Sequence, residues 1–325
     1  MIQKNNVIVP PAPTDLNWLQ FTVVNINTFM VLAVLAALLV FENFSCGRPT
    51  PKQTVHQSYL TNLGTLFLNS SLLSVLSVSS LLVIAGSFNH WGLLGSMTNS
   101  FWKILASFFL LDLMLYLWHR ANHQIDHLWL FHKVHHSDQC VNVSTAFRLH
   151  FVEILLTVLV KGVFIVIIGA EASVVLVNEI ITTFFVMFHH ANVSFRGEAK
   201  LARLLMVPSL HRLHHSALRK EHDQNYGAIL SGWDRLFGTL SSGEPKTIGL
   251  QNVNALGFLE LIRFGFTRKH PLTINIPEAR EWAHMVEEAA YYRADHRGFE
   301  PGDDLYDWLE AEKEIMARFG VLKAI

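Results

Sequence analysis

Residues 112–136 read "DLMLYLWHRANHQIDHLWLFHKVHH". An apolar run that begins near residue 98 ends inside this stretch and delivers directly into His119 and His123. Nine residues after His123 the chain reaches His132, followed by His135 and His136. An α-helix turns about 100° per residue, so positions i, i+3 and i+4 share a face. The stretch therefore reads as apolar helix that ends in clustered imidazoles. The same triplet spacing returns in "HRLHH" at 211–215. Of 18 histidines in the chain, 13 lie between His119 and His222, a concentration that random scatter would not produce.

Neutral imidazole is the commonest protein ligand for transition metals. His119, His123, His132, His135, His136, His211, His214 and His215 supply eight imidazoles from three segments. One ion commonly takes about four to six donors, so the count points to two metals, with room for a small exogenous ligand. A pH-sensing cluster would not need two copies of one helical spacing. An all-nitrogen site suits iron, zinc, copper or nickel. Soluble di-iron bundles use paired Glu-x-x-His motifs, and here the single match, Glu281 to His284, stands alone in the tail. HExxH is absent, which argues against a zincin protease.

Composition places this chemistry in a membrane. Hydrophobic residues make up 51% of the 325 residues and charged residues 16%, with a mean hydropathy of +0.30. Soluble domains carry about 25% charged residues. A net charge of −1 gives no basic excess for nucleic acid. Two cysteines, Cys46 and Cys140, cannot make a disulfide framework and suit a reducing compartment. Apolar runs cover 21–41, 63–88, 98–118, 149–169 and 172–188, and a span needs roughly 20 such residues. The first starts too late and runs too long for a cleaved signal peptide. The last two, separated by "GAE", form a helical hairpin that carries Glu153, Lys161 and Glu179, with Lys161 snorkelling or the hairpin crossing only in part. The expected fold is all-α: an integral membrane bundle of about four to five spanning or partly spanning helices under a His-rich helical cap.

The expected domains are a lead-in over 1–20, a membrane and His-box catalytic domain over 21–244, and a cytoplasmic tail over 245–325. The tail holds two amphipathic helices, "PEAREWAHMVEEAAYYRA" and "DDLYDWLEAEKEIMARFG", the second stopping at Gly320. Seventeen of the 25 Lys and Arg lie after residue 189, Arg48 and Lys52 sit in the 42–62 loop, and the 89–97 loop has neither. By the positive-inside rule the region after 189 and all three histidine clusters are cytoplasmic.

The stretches "DLMLYLWHRANH…LWLFHKVHHSD", "STAFRLHFVE", "FHHANV", "HRLHHS" and "DQNYGAILSGWDRLFGTL" together resemble the fatty acid hydroxylase / sterol desaturase superfamily over about residues 105–240. That resemblance implies an integral membrane oxygenase with two non-haem iron ions and O2 as co-substrate, hydroxylating or desaturating an alkyl lipid (fatty acyl, sterol or related). His119 and His123 match its HxxxH box, His132, His135 and His136 its first HxxHH box, and His211, His214 and His215 its last. His190, two residues before Asn192, matches a further family histidine and becomes a ninth ligand candidate. His150, Glu153, His189, His222, Asp112 and Asp223 are candidates for orienting ligands by hydrogen bonds or for extra ligation, and His127 for a structural role. No catalytic side chain beyond the metal centre is implied. Neither terminus shows the fused haem domain of some relatives, so electrons would come from a separate ferredoxin- or cytochrome-like donor. Arg196, Lys200 and Arg203 form either its docking surface or a solvated basic face. A bacterial inner membrane is favoured over the endoplasmic reticulum, for want of a C-terminal retrieval signal.

Rival readings are ether-lipid cleavage, carotenoid hydroxylation or aldehyde-to-alkane conversion at the same kind of site. From another class come a metal-binding membrane transporter or sensor, and a catalytically dead relative. A transporter would line several spans with ionisable residues, whereas these histidines gather at one membrane edge.

Overall fold

The structure, a computed structural model, describes residues 31–75, 81–98, 100–251, 253–267 and 279–318. Among them there are helices and short turns but no strand; three isolated bridges tie loops together. Helix α1 covers Val31–Phe44, α2 Lys52–Val75 and α3 Leu81–Phe88. The long helices of the bundle are α4, Ser100–Gln124, α6, Phe151–Ile168, and α7, Ala172–His190. All three are long and apolar enough to cross a membrane. Helix α5, Asp126–His136, follows α4 after a one-residue break. Residues 21–30 of the first apolar run and 76–80 of the second lie outside the described residues.

Lys161 and Glu179 neither snorkel nor stand alone. Lys161 Nζ lies 2.7 and 2.9 Å from the two Glu179 carboxylate oxygens, across the α6–α7 hairpin. Each sits about eight residues from the connecting turn, so the charges meet at one depth and neutralise each other where hydration is poor. The turn depends on Gly169, whose φ is +69° and where a Cβ would collide with the Trp91 carbonyl. Loop amides of Leu93 and Leu94 donate to the last carbonyls of α6, those of Ile167 and Ile168, both at 2.9 Å.

Helix α2 turns its polar residues inward. Ser58 and Asn62 donate to buried Asp138 at 2.8 and 3.0 Å, Thr65 to the Phe147 carbonyl at 2.9 Å and Asn69 to the Leu149 carbonyl at 2.9 Å. Thr145, on a short 3-10 helix at Val143–Phe147, adds a third hydroxyl or amide to Asp138. Arg148, 2% exposed, donates to the Val134 carbonyl, Ser137 Oγ and Asn62 Oδ1. A buried charge is tolerated only when its hydrogen bonds are made, and here the satisfied network clamps the end of α5 to α2. On the far side Glu42 accepts from Val143 N, Asn192 N and Tyr59 Oη at 2.8, 2.6 and 2.6 Å, fixing α1 to the chain leaving α7.

Short helices complete the cap: α8, Glu198–Leu201, α9, Pro208–His214, α10, Arg219–His222, α11, Gly232–Leu236, and α12, Phe258–Phe264. The described residues from 245 to 267 stay on this body. Arg48 donates to the Pro245 and Lys246 carbonyls, Gly249 N donates to the His215 carbonyl, and α12 touches both α2 and α5. The two tail helices, α13, Ala279–His296, and α14, Asp304–Arg318, pack on each other through Val286, Ala311 and Ile315. Gly320 lies outside the described residues.

Candidate metal centre

The eight boxed histidines and His190 come together in two groups. His119, His123, His132, His136 and His214 form one, and His135, His190, His211 and His215 the other, each group bringing one nitrogen from every ring within 4.8 Å of the rest. The grouping does not follow the boxes. In the first HxxHH box the i and i+4 residues, His132 and His136, join the five-membered group, while His135 joins the four. In the last box the assignment reverses: His211 and His215 go to the four, His214 to the five. The shared face expected from spacing is thus broad enough to serve two centres, because residues 100° apart diverge at the length of an imidazole. The groups abut where the boxes meet: the His136 and His215 rings stack at 4.6 Å and the His211 and His214 rings at 5.0 Å.

Hydrogen bonds on the outer nitrogens settle which inner nitrogens hold lone pairs. His119 and His214 donate from Nδ1 to the carbonyls of Tyr226, at 2.9 Å, and Gln224, at 2.6 Å. A carbonyl only accepts, so both Nε2 atoms are left as acceptors. Those two Nε2 atoms lie 3.0 Å apart. In the other group His190 donates from Nδ1 to the Val186 carbonyl at 2.6 Å, and its Nε2 faces the Nε2 atoms of His135, His211 and His215 at 3.0, 2.9 and 3.3 Å. At His119 and His214 two lone pairs face each other in a buried space and repel unless a cation stands between them; in the other group the His190 lone pair faces three Nε2 atoms. Atoms this close can both reach a shared ion about 2.1 Å from each. Buried His123 Nε2, His132 Nε2 and both His136 nitrogens have no hydrogen-bond partner at all. The donor set fits two metal ions.

Burial pushes His135, His136, His211, His214 and His215 well below the ordinary histidine pKa, since no water remains to solvate an imidazolium, and neighbouring imidazoles push the same way. The rings are therefore neutral and able to ligate at pH 7.

Glu153 and Asp223 stand directly behind the five-membered group. Glu153 Oε1 is 2.7 Å from His132 Nδ1, and Asp223 Oδ1 is 3.2 Å from His123 Nδ1. Such carboxylates fix the tautomer and raise the basicity of the inner nitrogen. His222 shares the Asp223 corner, its Nε2 3.7 Å from Asp223 Oδ1, and forms a smaller triad with His123 and Asp223. His189 is buried against the four-membered group, with its ring 4.0 Å from that of His211. His150 lies apart: its Nδ1 accepts from Val152 N at the start of α6 and its Nε2 donates to the Ile262 carbonyl on α12. Asp112 touches no histidine; it accepts from Ile229 N, Leu230 N and the Trp233 indole at 3.2, 3.3 and 2.8 Å. His127 is exposed on the first turn of α5.

Three contributors were not singled out by spacing. Trp129 stacks on His222 at 5.3 Å and covers His123 and His136. Its signal was a bulky indole one turn before the HxxHH box. Asn225, at φ +57°, holds the 224–227 loop by donating to the Leu210 and Ser241 carbonyls, 2.9 and 2.8 Å away. Asparagine tolerates that left-handed backbone, which turns the neighbouring Gln224 and Tyr226 carbonyls onto His214 and His119. Asp234 anchors the same loop through the Tyr226 and Gly227 amides at 2.7 and 2.8 Å; burial raises its pKa to about 6, against the pull of those amides and the Thr239 hydroxyl. "NYG" in the quoted motif was the visible trace of this loop.

Residues 104–239 match the family model for fatty acid hydroxylase, and residues 281–317 match one described as a protein of unknown function (DUF2934). An ornithine lipid hydroxylase of Rhizobium tropici is 31% identical over 198 residues, 60% of this chain and 60% of that protein. Alkylglycerol monooxygenases of Caenorhabditis elegans and Homo sapiens are each 29% identical, over 50% and 46% of this chain and 32% and 33% of theirs. The matched part thus spans less than two thirds of each relative's length. No solved structure gives a significant match.

Proposed function

We propose, on the premise that residues 104–239 are a fatty acid hydroxylase domain, that this membrane protein hydroxylates an alkyl lipid with O2. One oxygen atom enters a C–H bond and the other leaves as water, with two electrons and two protons from a separate donor. The observation that carries the reading is the partition of nine histidines into two abutting buried groups whose Nε2 atoms converge, at 3.0 Å between His119 and His214 and 2.9 Å between His190 and His211. Similarity to a lipid hydroxylase and to monooxygenases supports hydroxylation over desaturation.

Two iron ions, when bound, would supply the O2 activation and the oxidising power that a saturated C–H bond requires. His119, His123, His132, His136 and His214 would hold one, and His135, His190, His211 and His215 the other. Glu153 and Asp223 would keep His132 and His123 in the tautomer that presents Nε2, and the Tyr226, Gln224 and Val186 carbonyls would do the same for His119, His214 and His190. Trp129 and the surrounding histidine packing exclude water from the inner nitrogens. His119, His123 and His190 close the ends of α4 and α7, so the centre sits at one membrane edge, which we assign to the cytoplasmic side. A lipid can there keep its headgroup in water while its chain stays among the helices.

The test is purification under anaerobic conditions followed by metal analysis, with lipid mass spectrometry of a host with and without expression. About two irons per chain and a lipid gaining one oxygen mass are expected. Zinc with no O2 consumption in the presence of reductant overturns the reading.

A further inference from the structure

Outside the three spans the cap exposes Leu204, Leu236 and Phe237, with 70, 69 and 42% of their surface open. They come from separate segments that are laced together. Met206 N donates to the Ile229 carbonyl at 2.8 Å, Ser231 N to that of Leu204 at 3.1 Å, and Ser231 Oγ to that of Ala202 at 2.8 Å. Arg235 closes the other end by donating to the Arg203 carbonyl at 2.7 Å. Lys200, Arg203 and Arg235 are exposed beside these apolar side chains, and no salt bridge joins them to an acid among the described residues. The local acids, Glu198 and Asp234, are buried and taken up by backbone amides.

Helix α4 fixes the depth of this patch. Its apolar part ends at Trp118, and Asp112 lies seven residues before His119, about 10 Å along the axis. Asp112 holds Ile229, Leu230 and Trp233; Tyr116 stacks on Phe237 at 5.2 Å and bonds Thr239 Oγ1 at 2.9 Å. The segment with the exposed apolar residues is therefore tied to the spanning helix below the point where that helix leaves the apolar zone. Interfacial elements sink about 5–10 Å into the headgroup and acyl boundary, and their cations stay at the headgroups.

We infer that the laced segments 200–206 and 229–237 form a wedge seated in the leaflet, with Leu204, Leu236 and Phe237 among acyl chains and Lys200, Arg203 and Arg235 on anionic lipid headgroups. The inference rests on α4 as a membrane span and not on the metal chemistry. It assigns the basic face to lipid rather than to an acidic electron donor. The wedge is also the strap that ends in Tyr226 and Asn225, so the lipid seat and the carbonyls behind His119 and His214 belong to one piece of backbone.

The full chain in nanodiscs tests this. A Cys46→Ser, Leu236→Cys protein would carry an environment-sensitive fluorophore, with Leu159→Cys, exposed at mid-span on α6, as the bilayer reference. Quenching by chain-nitroxide lipid at both sites, with little quenching by aqueous iodide, is expected. Iodide quenching at Leu236 with nitroxide quenching confined to Leu159 overturns the wedge. The headgroup assignment is read separately from thermal stability in phosphatidylglycerol and phosphatidylcholine nanodiscs. Anionic lipid should raise the melting temperature of the unsubstituted protein, and Lys200→Glu with Arg203→Glu should abolish the gain. A gain unchanged by that pair, or no gain at all, overturns it.

Discussion

The two histidine groups differ in what stands behind their rings. The five-membered group is braced by two carboxylates, Glu153 on His132 and Asp223 on His123, and by two carbonyls. The four-membered group has one brace, the Val186 carbonyl on His190, while the Nδ1 atoms of His135, His211 and His215 are buried without partners. Carboxylate-backed imidazoles are more basic and better fixed, so the first group should bind a metal ion more tightly. The second, with one donor fewer and looser rings, is the one suited to an exogenous ligand.

Removing a ligand gives the largest effect. His136→Ala and His211→Ala should each lower lipid hydroxylation by more than about 100-fold, beyond what loss of an orienting partner produces. Metal analysis separates them: at limiting iron, His211→Ala should retain close to one ion, while His136→Ala retains less. Equal retention would break the asymmetry.

Acid comes next. His135, His211 and His215 of the four-membered group, and His136 and His214 of the five, are held neutral by burial, their pKa well below the usual 6.5. A depressed folded-state value means that stability is present above pH 6.5 and is lost as pH falls below it, by about 1.4 kcal/mol per unit for each group that must charge on unfolding. The metal-stripped protein should melt at a constant temperature between pH 7 and 8 and progressively lower beneath 6.5. In the loaded protein the four-membered group, with its single brace, should release its ion at the higher pH, which a chelator titration would read.

Glu153→Gln isolates the brace. Affinity at the five-membered group should fall about 10- to 100-fold with the other group unchanged. A loss shared equally would mean that the two centres fold as one unit. The smallest change is expected from His189→Ala, which removes a ring packed on His211 but no inner nitrogen of either group. A few-fold loss confined to the four-membered group is expected in the same metal titration.

Much of this site was legible in the sequence, because helical spacing is a local property. His132 and His136, or His211 and His215, lie one turn apart whatever the tertiary structure does. Apolar length likewise marked α4, α6 and α7, and the hairpin charges Lys161 and Glu179 were visible as a problem. Their solution, a direct ion pair at matched depth, needed both helices in place. Spacing also said nothing of Trp129 or of the Gln224 and Tyr226 carbonyls. A carbonyl carries no residue identity, and its direction depends on the left-handed turn at Asn225. His150 and Glu153, one turn apart, separate in role because α12 takes one and His132 takes the other.

The sequence by itself determined that imidazoles would cluster at the ends of apolar helices and that there were too many for one ion, since periodicity and composition act over a few residues. Only the tertiary structure decided which ring serves which group. That choice depends on α4, α5, α7 and α9 converging from four directions, and on outer hydrogen bonds that leave a lone pair pointing inward at each centre. Contacts between residues about a hundred positions apart, such as His119 with His214, are set by packing and carry no local signature.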